Sequence, residues 1–303
     1  QQTMVNLYDL SNTSYDASGM VAIAYKGTGE AGTGKISTFR VTSAGAITQA
    51  ATTSFDTTTG RYDSISMCAI EADDGYQTVI AYSGAAADGF LLSVAIDIDG
   101  GITVGTGTKK REFLATDATR LCVTRIKAGF VGVLFNDVAN TTSKISSFTV
   151  SGAGVIGATA TGTLTHPGSA LFKNVDLITL DANTLALAYV ANADDDGFIE
   201  SISVSDDCAT IARLDSLEFA ADNTISYVSL VKIRPDAVAL AYTDSAGDGF
   251  LKTFFINPSG GGSHKVNEIT GKITAIGTVE HDTADGKLGR LALYKTDGYE
   301  AGI

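Results

Sequence analysis

Tryptophan is absent from this 303-residue chain, and proline, cysteine and methionine occur only three times each. Three cysteines cannot all pair, which excludes a scaffold built on disulfides. No stretch approaches the apolar run of about 18 residues that a membrane-spanning helix needs. Basic residues are also scarce: 21 Lys and Arg against 34 Asp and Glu give a formal net charge of −13. A nucleic-acid-binding face needs the opposite balance, so that partner is excluded. No extended segment shows helical periodicity. What the chain does have is 33 glycines and 44% hydrophobic residues, many of them β-branched. That is enough to bury a core, and its character is all-β.

One word recurs along the chain. It reads VAIAY at 21–25, VIAY at 79–82, VGVLF at 131–135, LALAY at 185–189, VALAY at 238–242 and LALY at 291–294. The terminal aromatics Tyr25, Tyr82, Phe135, Tyr189, Tyr242 and Tyr294 serve as anchors, spaced 57, 53, 54, 53 and 52 residues apart. A second word follows four of them: Asp88-Gly89-Phe90, Asp196-Gly197-Phe198, Asp248-Gly249-Phe250 and Asp297-Gly298-Tyr299. In the first and third copies Gly34-Lys35-Ile36 and Ser143-Lys144-Ile145 take its place. Strand-like runs and turns complete each unit, so each reads as four short strands. On the anchor strand, small residues such as Ala186 and Ala188 alternate with bulky ones such as Leu187. Alternate residues face opposite sides, so this strand is expected to be buried on both faces. In the sixth copy Leu291, Ala292 and Leu293 run one residue out of phase.

Six four-strand units of this length resemble a six-bladed β-propeller, a likeness of architecture that covers residues 1–303. It implies one all-β domain of four-stranded antiparallel blades with a repeat of roughly 54 residues. Residues 3–8 are expected to supply the strand that completes the C-terminal blade. That pairing closes the ring within one molecule or, by strand exchange, links neighbouring molecules.

Candidate sites are few. Asn192-Ala193-Asp194-Asp195-Asp196-Gly197 resembles half of a calcium loop, which makes Asn192, Asp194 and Asp196 the candidate metal ligands and calcium the candidate cofactor. An Asp-Gly pair between strands is also a plain turn signal. His166, His264 and His281 show no metal-binding spacing and read as solvated surface residues. Cys68 and Cys122 read as small buried hydrophobes, and Cys208 as an exposed turn residue. Asn12-Thr13-Ser14 and Asn140-Thr141-Thr142 fit the glycosylation acceptor pattern. Tyr62, Tyr76 and Tyr299 are the candidate sugar-stacking residues. No nucleophile elbow or phosphate loop is present.

A propeller does not name an activity. The leading expectation is a secreted, non-enzymatic structural or adhesive surface protein. It self-associates through terminal strand pairing or blade edges into a filament or array. One alternative is a glycan- or ligand-binding module. Another is a calcium-dependent hydrolase or lyase that gathers acidic residues from several blades. An extracellular or cell-surface location fits the acidic, Gly-rich, Lys-poor composition and a chain that begins with Gln1.

Overall fold

β-branched and aromatic residues concentrate at the strand positions of each repeat, and the backbone is extended accordingly. The computed structural model describes residues 2–6, 19–27, 32–42, 44–58, 64–71, 76–166, 171–192, 194–220, 225–244, 246–256 and 266–268. The chain divides into two compact units, Gln1–Glu268 and Ile269–Ile303. All described residues belong to the first, so the sixth anchor, Tyr294, lies outside them. No α-helix occurs among the described residues.

The strands form five antiparallel sheets. The first sheet holds β1 (Gln2–Asn6), β2 (Gly19–Lys26), β3 (Gly34–Val41) and β4 (Ile47–Asp56). The second holds β5 (Ile65–Glu71), β6 (Tyr76–Ser83), β7 (Gly89–Ile96), β8 (Ile102–Val104) and β9 (Lys110–Leu114). The third holds β10 (Ala118–Lys127), β11 (Phe130–Asp137), β12 (Thr142–Thr149) and β13 (Gly162–Thr165). The fourth holds β14 (Phe172–Asp181), β15 (Thr184–Ala191), β16 (Gly197–Val204) and β17 (Ile211–Ala220). The fifth holds β18 (Tyr227–Arg234), β19 (Ala237–Thr243), β20 (Gly249–Ile256) and β21 (Val266–Glu268).

One expectation needs correction. The second sheet is five-stranded, because β8 and β9 share the outer edge of β7. The amino-terminal strand pairs within its own repeat, in register from Gln2 opposite Tyr25 to Asn6 opposite Val21. β1 therefore sits beside the anchor strand of its own sheet, where β5, β10, β14 and β18 sit in the others. Without it the inner edge of β2 would present unpaired backbone groups, which is costly. The partner expected for it, the C-terminal repeat, lies outside the described residues.

Hydrophobic residues collect in four layers, one between each pair of consecutive sheets. The anchor strands of the second, third and fourth sheets are buried on both faces, as their alternation predicts, while β2 is buried on one face and half-buried on the other. In the fourth sheet, Ala186 and Ala188 face the fifth sheet, while Leu185, Leu187 and Tyr189 face the third. In the second sheet, Val79 and Ala81 face the third, while Ile80 and Tyr82 face the first. These two sheets thus offer the smaller face forward and the bulkier face back, while in the third Leu134 faces forward and Val131, Val133 and Phe135 face back. Every fully buried Leu or Ile contributes about 1.5–3 kcal/mol.

Polar side chains join the sheets where small faces bring backbones close. Ser64 and Ser66 accept hydrogen bonds from the Leu121 and Val123 N–H groups at 2.6 and 2.9 Å. Asp176 accepts one from the Leu230 N–H at 2.6 Å. These bonds satisfy edge donors of one first strand with side chains of the preceding one. Further out, Thr38 donates to the Gly100 carbonyl at 2.6 Å and Ser147 to the Cys208 carbonyl at 2.7 Å. Both acceptors are left-handed turn residues, with φ of 89° and 54°.

Candidate functional site

The second and third strands of every sheet are joined by turns at one end of the sheets. Near that end, each boundary between consecutive sheets (a seam) carries the same aromatic contact. A ring from the end of one sheet's outer strand, or just beyond it, packs on the anchor aromatic of the next sheet. Phe55 meets Tyr82 at 5.1 Å between centroids, Phe113 meets Phe135 at 5.0 Å, His166 meets Tyr189 at 5.1 Å, and Phe219 meets Tyr242 at 4.9 Å. The anchors also stack on third-strand rings, as in Tyr82–Phe90, Tyr189–Phe198 and Tyr242–Phe250. In the first and third sheets Lys35 and Lys144 stand opposite the anchor instead.

The glycine of the Asp-Gly-Phe word has a second use here. A Cβ on Gly89 would lie 2.6 Å from the Phe113 ring, and one on Gly197 would strike the Phe219 ring. The glycine seats the outer-strand ring that reaches the next sheet. The turn itself bends through other residues, Ala86 and Ala87 in the second sheet and Asp195 in the fourth, all with positive φ.

Three seams add a carboxylate. At the first, Asp56 accepts from Tyr82 Oη at 2.8 Å, Lys110 Nζ at 3.0 Å, and the Thr58 amide and hydroxyl. Burial works against its charge, but the bonds from Thr58, Tyr82 and Lys110 outweigh that and hold its pKa below the ordinary value. Lys110 also lies over the Phe90 ring at 4.9 Å. At the second, the buried Asp137 accepts from Lys144 Nζ and Asn140 Nδ2, both at 2.8 Å. Burial again opposes its charge, and Lys144 and Asn140 again prevail, lowering its pKa.

The third seam is the richest. Glu200, 0% exposed, is a charged residue inside an otherwise apolar and hydroxylic strand. Its Oε1 accepts from Tyr189 Oη at 3.0 Å and forms an ion pair with Arg213, whose Nε lies 3.1 Å away. His166 Nε2 lies 3.0 Å from Oε1 and 3.2 Å from Oε2. A carboxylate held by arginine only accepts, so Nε2 is the protonated nitrogen of that ring. Burial, and then the Glu200 charge, push the Tyr189 phenol well above its ordinary pKa, which keeps it a donor. A small depression lined by Lys144, Leu164, His166 and Phe172 lies beside this group.

His166 is therefore not a solvated surface residue: its side chain is 10% exposed and takes the place of the phenylalanine at the other seams. Its signal was its distance from its own anchor, 31 residues, against 30, 31 and 30 for Phe55, Phe113 and Phe219. Asn192, Asp194 and Asp196 lie in or beside the turn between β15 and β16. There Asp194 accepts from the Asp196 N–H at 3.4 Å, and Asp195 pairs with Lys173. Among the described residues no group of three or more His, Cys, Asp or Glu converges as metal ligands. The cysteines are free thiols. Burial pushes the Cys68 thiol up to about 12 and raises Cys122 as well. Cys208 is fully buried rather than exposed, in the left-handed turn position that Gly45, Gly100 and Gly154 hold elsewhere. Asn140 lies in the turn after β11, bonded to Asp137. Asn12, His264, His281, Tyr62 and Tyr299 lie outside the described residues, as does the side chain of Tyr76.

No family model matches the chain, and no curated protein matches it in sequence. Among solved structures it is similar to the fungal lectin of Aleuria aurantia, described as a six-bladed β-propeller with a novel fucose recognition mode. The two share 10% identity over 89% of this chain and 78% of that one, with a TM-score of 0.54. A point mutant of that lectin in complex with α-methyl-L-fucoside gives 9% identity, the same coverages and a TM-score of 0.53. A protein from Lactobacillus plantarum gives 11% identity, 82% and 67% coverage, and a TM-score of 0.52. These likenesses establish the fold as a β-propeller.

Proposed function

We propose that this protein is a glycan-binding propeller module, working at the end of the sheets where second strands turn into third. One observation carries the reading: aromatic, acidic and basic side chains recur together at successive seams of that end, on a fold shared with fucose-binding lectins. Sugars need this combination, because their hydroxyls pair with charged donors and acceptors while their apolar faces pack on rings. Left-handed non-glycine residues in the adjoining turns, Ala86, Ala87, Thr141 and Asp195, add to it. Such strain concentrates at ligand sites. The sixth repeat, anchored on Tyr294, is read as a sixth blade on the strength of its spacing. No helix among the described residues is long and apolar enough to cross a membrane, and an extracellular setting is where such a module meets glycans. The comparisons favour this reading over a self-assembling filament, whose exchangeable strand, β1, is paired within its own sheet. A glycan array probed with the whole chain tests it: saturable binding to defined glycans is expected, and no binding across neutral and acidic glycans overturns it.

A further inference from the structure

Resting on the proposed extracellular setting rather than on glycan binding, we infer that Asn140 is an N-glycosylation site. It takes its glycan during export, from an oligosaccharide linked to a lipid diphosphate.

The acceptor tripeptide is an asparagine, any residue but proline, and a serine or threonine. The chain carries two, at Asn12 and Asn140, and the first lies outside the described residues. Asn140 and Thr141 are exposed, in the turn between β11 and β12. The Thr141 N–H donates to the Val138 carbonyl at 3.2 Å and closes that turn. Thr141 itself is left-handed, with φ of 51°. A surface turn can carry a bulky, hydrated group without displacing packed side chains.

The Asn140 amide has a proton to give. An asparagine side chain holds two N–H donors. Among the described residues Nδ2 makes one hydrogen bond, to Asp137 Oδ2 at 2.8 Å. In the transfer, Nδ2 bonds to the sugar C1 as C1 parts from the diphosphate oxygen. Nδ2 loses one proton, and the lipid diphosphate leaves. One N–H remains on Nδ2 and can go on donating to Asp137. The turn therefore keeps its side-chain bond with the glycan attached.

Thr142 supplies an independent observation. Its hydroxyl is buried with no hydrogen-bond partner among the described residues. An unpaired buried hydroxyl is costly to the folded chain. Valine suits a strand as well and carries no such cost. Packing gives no reason for a hydroxyl at 142, whereas the acceptor tripeptide requires one.

Peptide mapping of the whole chain, secreted from an N-glycosylating cell, tests this. The Asn140 peptide should carry a glycan, released by an amidase that leaves aspartate in its place. Asn140→Gln and Thr142→Val should each abolish it, and Thr142→Ser should retain it. Made without glycans, Thr142→Val should melt no lower than the wild type, which separates loss of the acceptor hydroxyl from loss of the fold. An unmodified Asn140 peptide in the wild type, or a glycan that survives Thr142→Val, overturns the inference. Glycan binding on the array stands or falls independently of either result.

Discussion

At the seam between the first and second sheets Tyr82 donates to Asp56, and at the seam between the third and fourth Tyr189 donates to Glu200. Both phenols belong to anchor residues, and both carboxylates meet a cation. The carboxylates come from different strands, however. Asp56 ends an outer strand and is bound by its own loop through Thr58. Glu200 lies inside a third strand and depends on Tyr189 and Arg213 from the neighbouring strands and on His166, just beyond the last strand of the sheet before. The same aromatic scaffold thus produces a self-contained ion pair in one place and a fully buried acid shared between two sheets in another. Position along the strand, more than residue type, decides which.

Removing the carboxylate should separate the two most sharply. Glu200→Ala leaves Arg213, His166 and the Tyr189 hydroxyl around a buried void. Destabilisation by about 3–5 kcal/mol is expected, the scale of breaking a buried charged group's pairing. Denaturant unfolding measures it, and a loss below 1 kcal/mol would show that the third seam rests on its rings alone. The phenols come next. Tyr189→Phe and Tyr82→Phe each remove one hydrogen bond to a carboxylate and should cost about 1.5–3 kcal/mol. Tyr189→Phe should cost more, because Thr58 still serves Asp56. Smaller is His166→Phe, which installs the residue of the other seams: about 1 kcal/mol lost as Glu200 gives up a donor and the ring contacts survive. Smallest is Lys110→Ala, an ion pair whose lysine is 35% exposed, at under 1 kcal/mol.

Acid sharpens the comparison further. The lowered pKa values of Asp56 and Asp137 mean that their bonds stabilise the fold above the unfolded carboxylate value of 3.8. That contribution is lost as pH falls through the lower folded values. Asp176 has the opposite sign. Burial raises its pKa, so ionising it costs stability as pH climbs above 3.8. Asp56→Asn with Asp137→Asn should flatten the fall in melting temperature below about pH 4. Asp176→Asn should raise the melting temperature at pH 7, since an amide oxygen can still accept the Leu230 N–H. Thermal scans across pH check both signs.

The repeat was legible because the anchor word is dictated by packing. A strand pressed between two sheets must alternate Ala186 and Ala188 with Leu185 and Leu187, and that alternation shows in any copy. The seam chemistry was hidden for a physical reason. Outer strands vary in length, from Gly162–Thr165 to Ile211–Ala220, yet Phe55, Phe113, His166 and Phe219 fall 30, 31, 31 and 30 residues after their own anchors. The residues around these rings share no common word, and one ring is a histidine, so the spacing does not stand out in the sequence. Glu200 was visible as a lone charge in FIESISV, but its partners come from elsewhere: Arg213 from β17 and His166 from just beyond β13. The Asp-Gly word was read as a turn because glycine commonly marks one; here Gly89 and Gly197 clear room for a ring.

The forward-small, backward-bulky arrangement of the sheets gives the stack a polarity. Each repeat is a plug at one face and a socket at the other, and every interface joins plug to socket in the same sense. A whole repeat could be duplicated or excised with every new interface still joining a forward face to a backward one, although the polar partners at each seam would be exchanged with it. Units of this kind can diverge one at a time, so a single interface can acquire a fully buried acid while its neighbours keep theirs at the strand end.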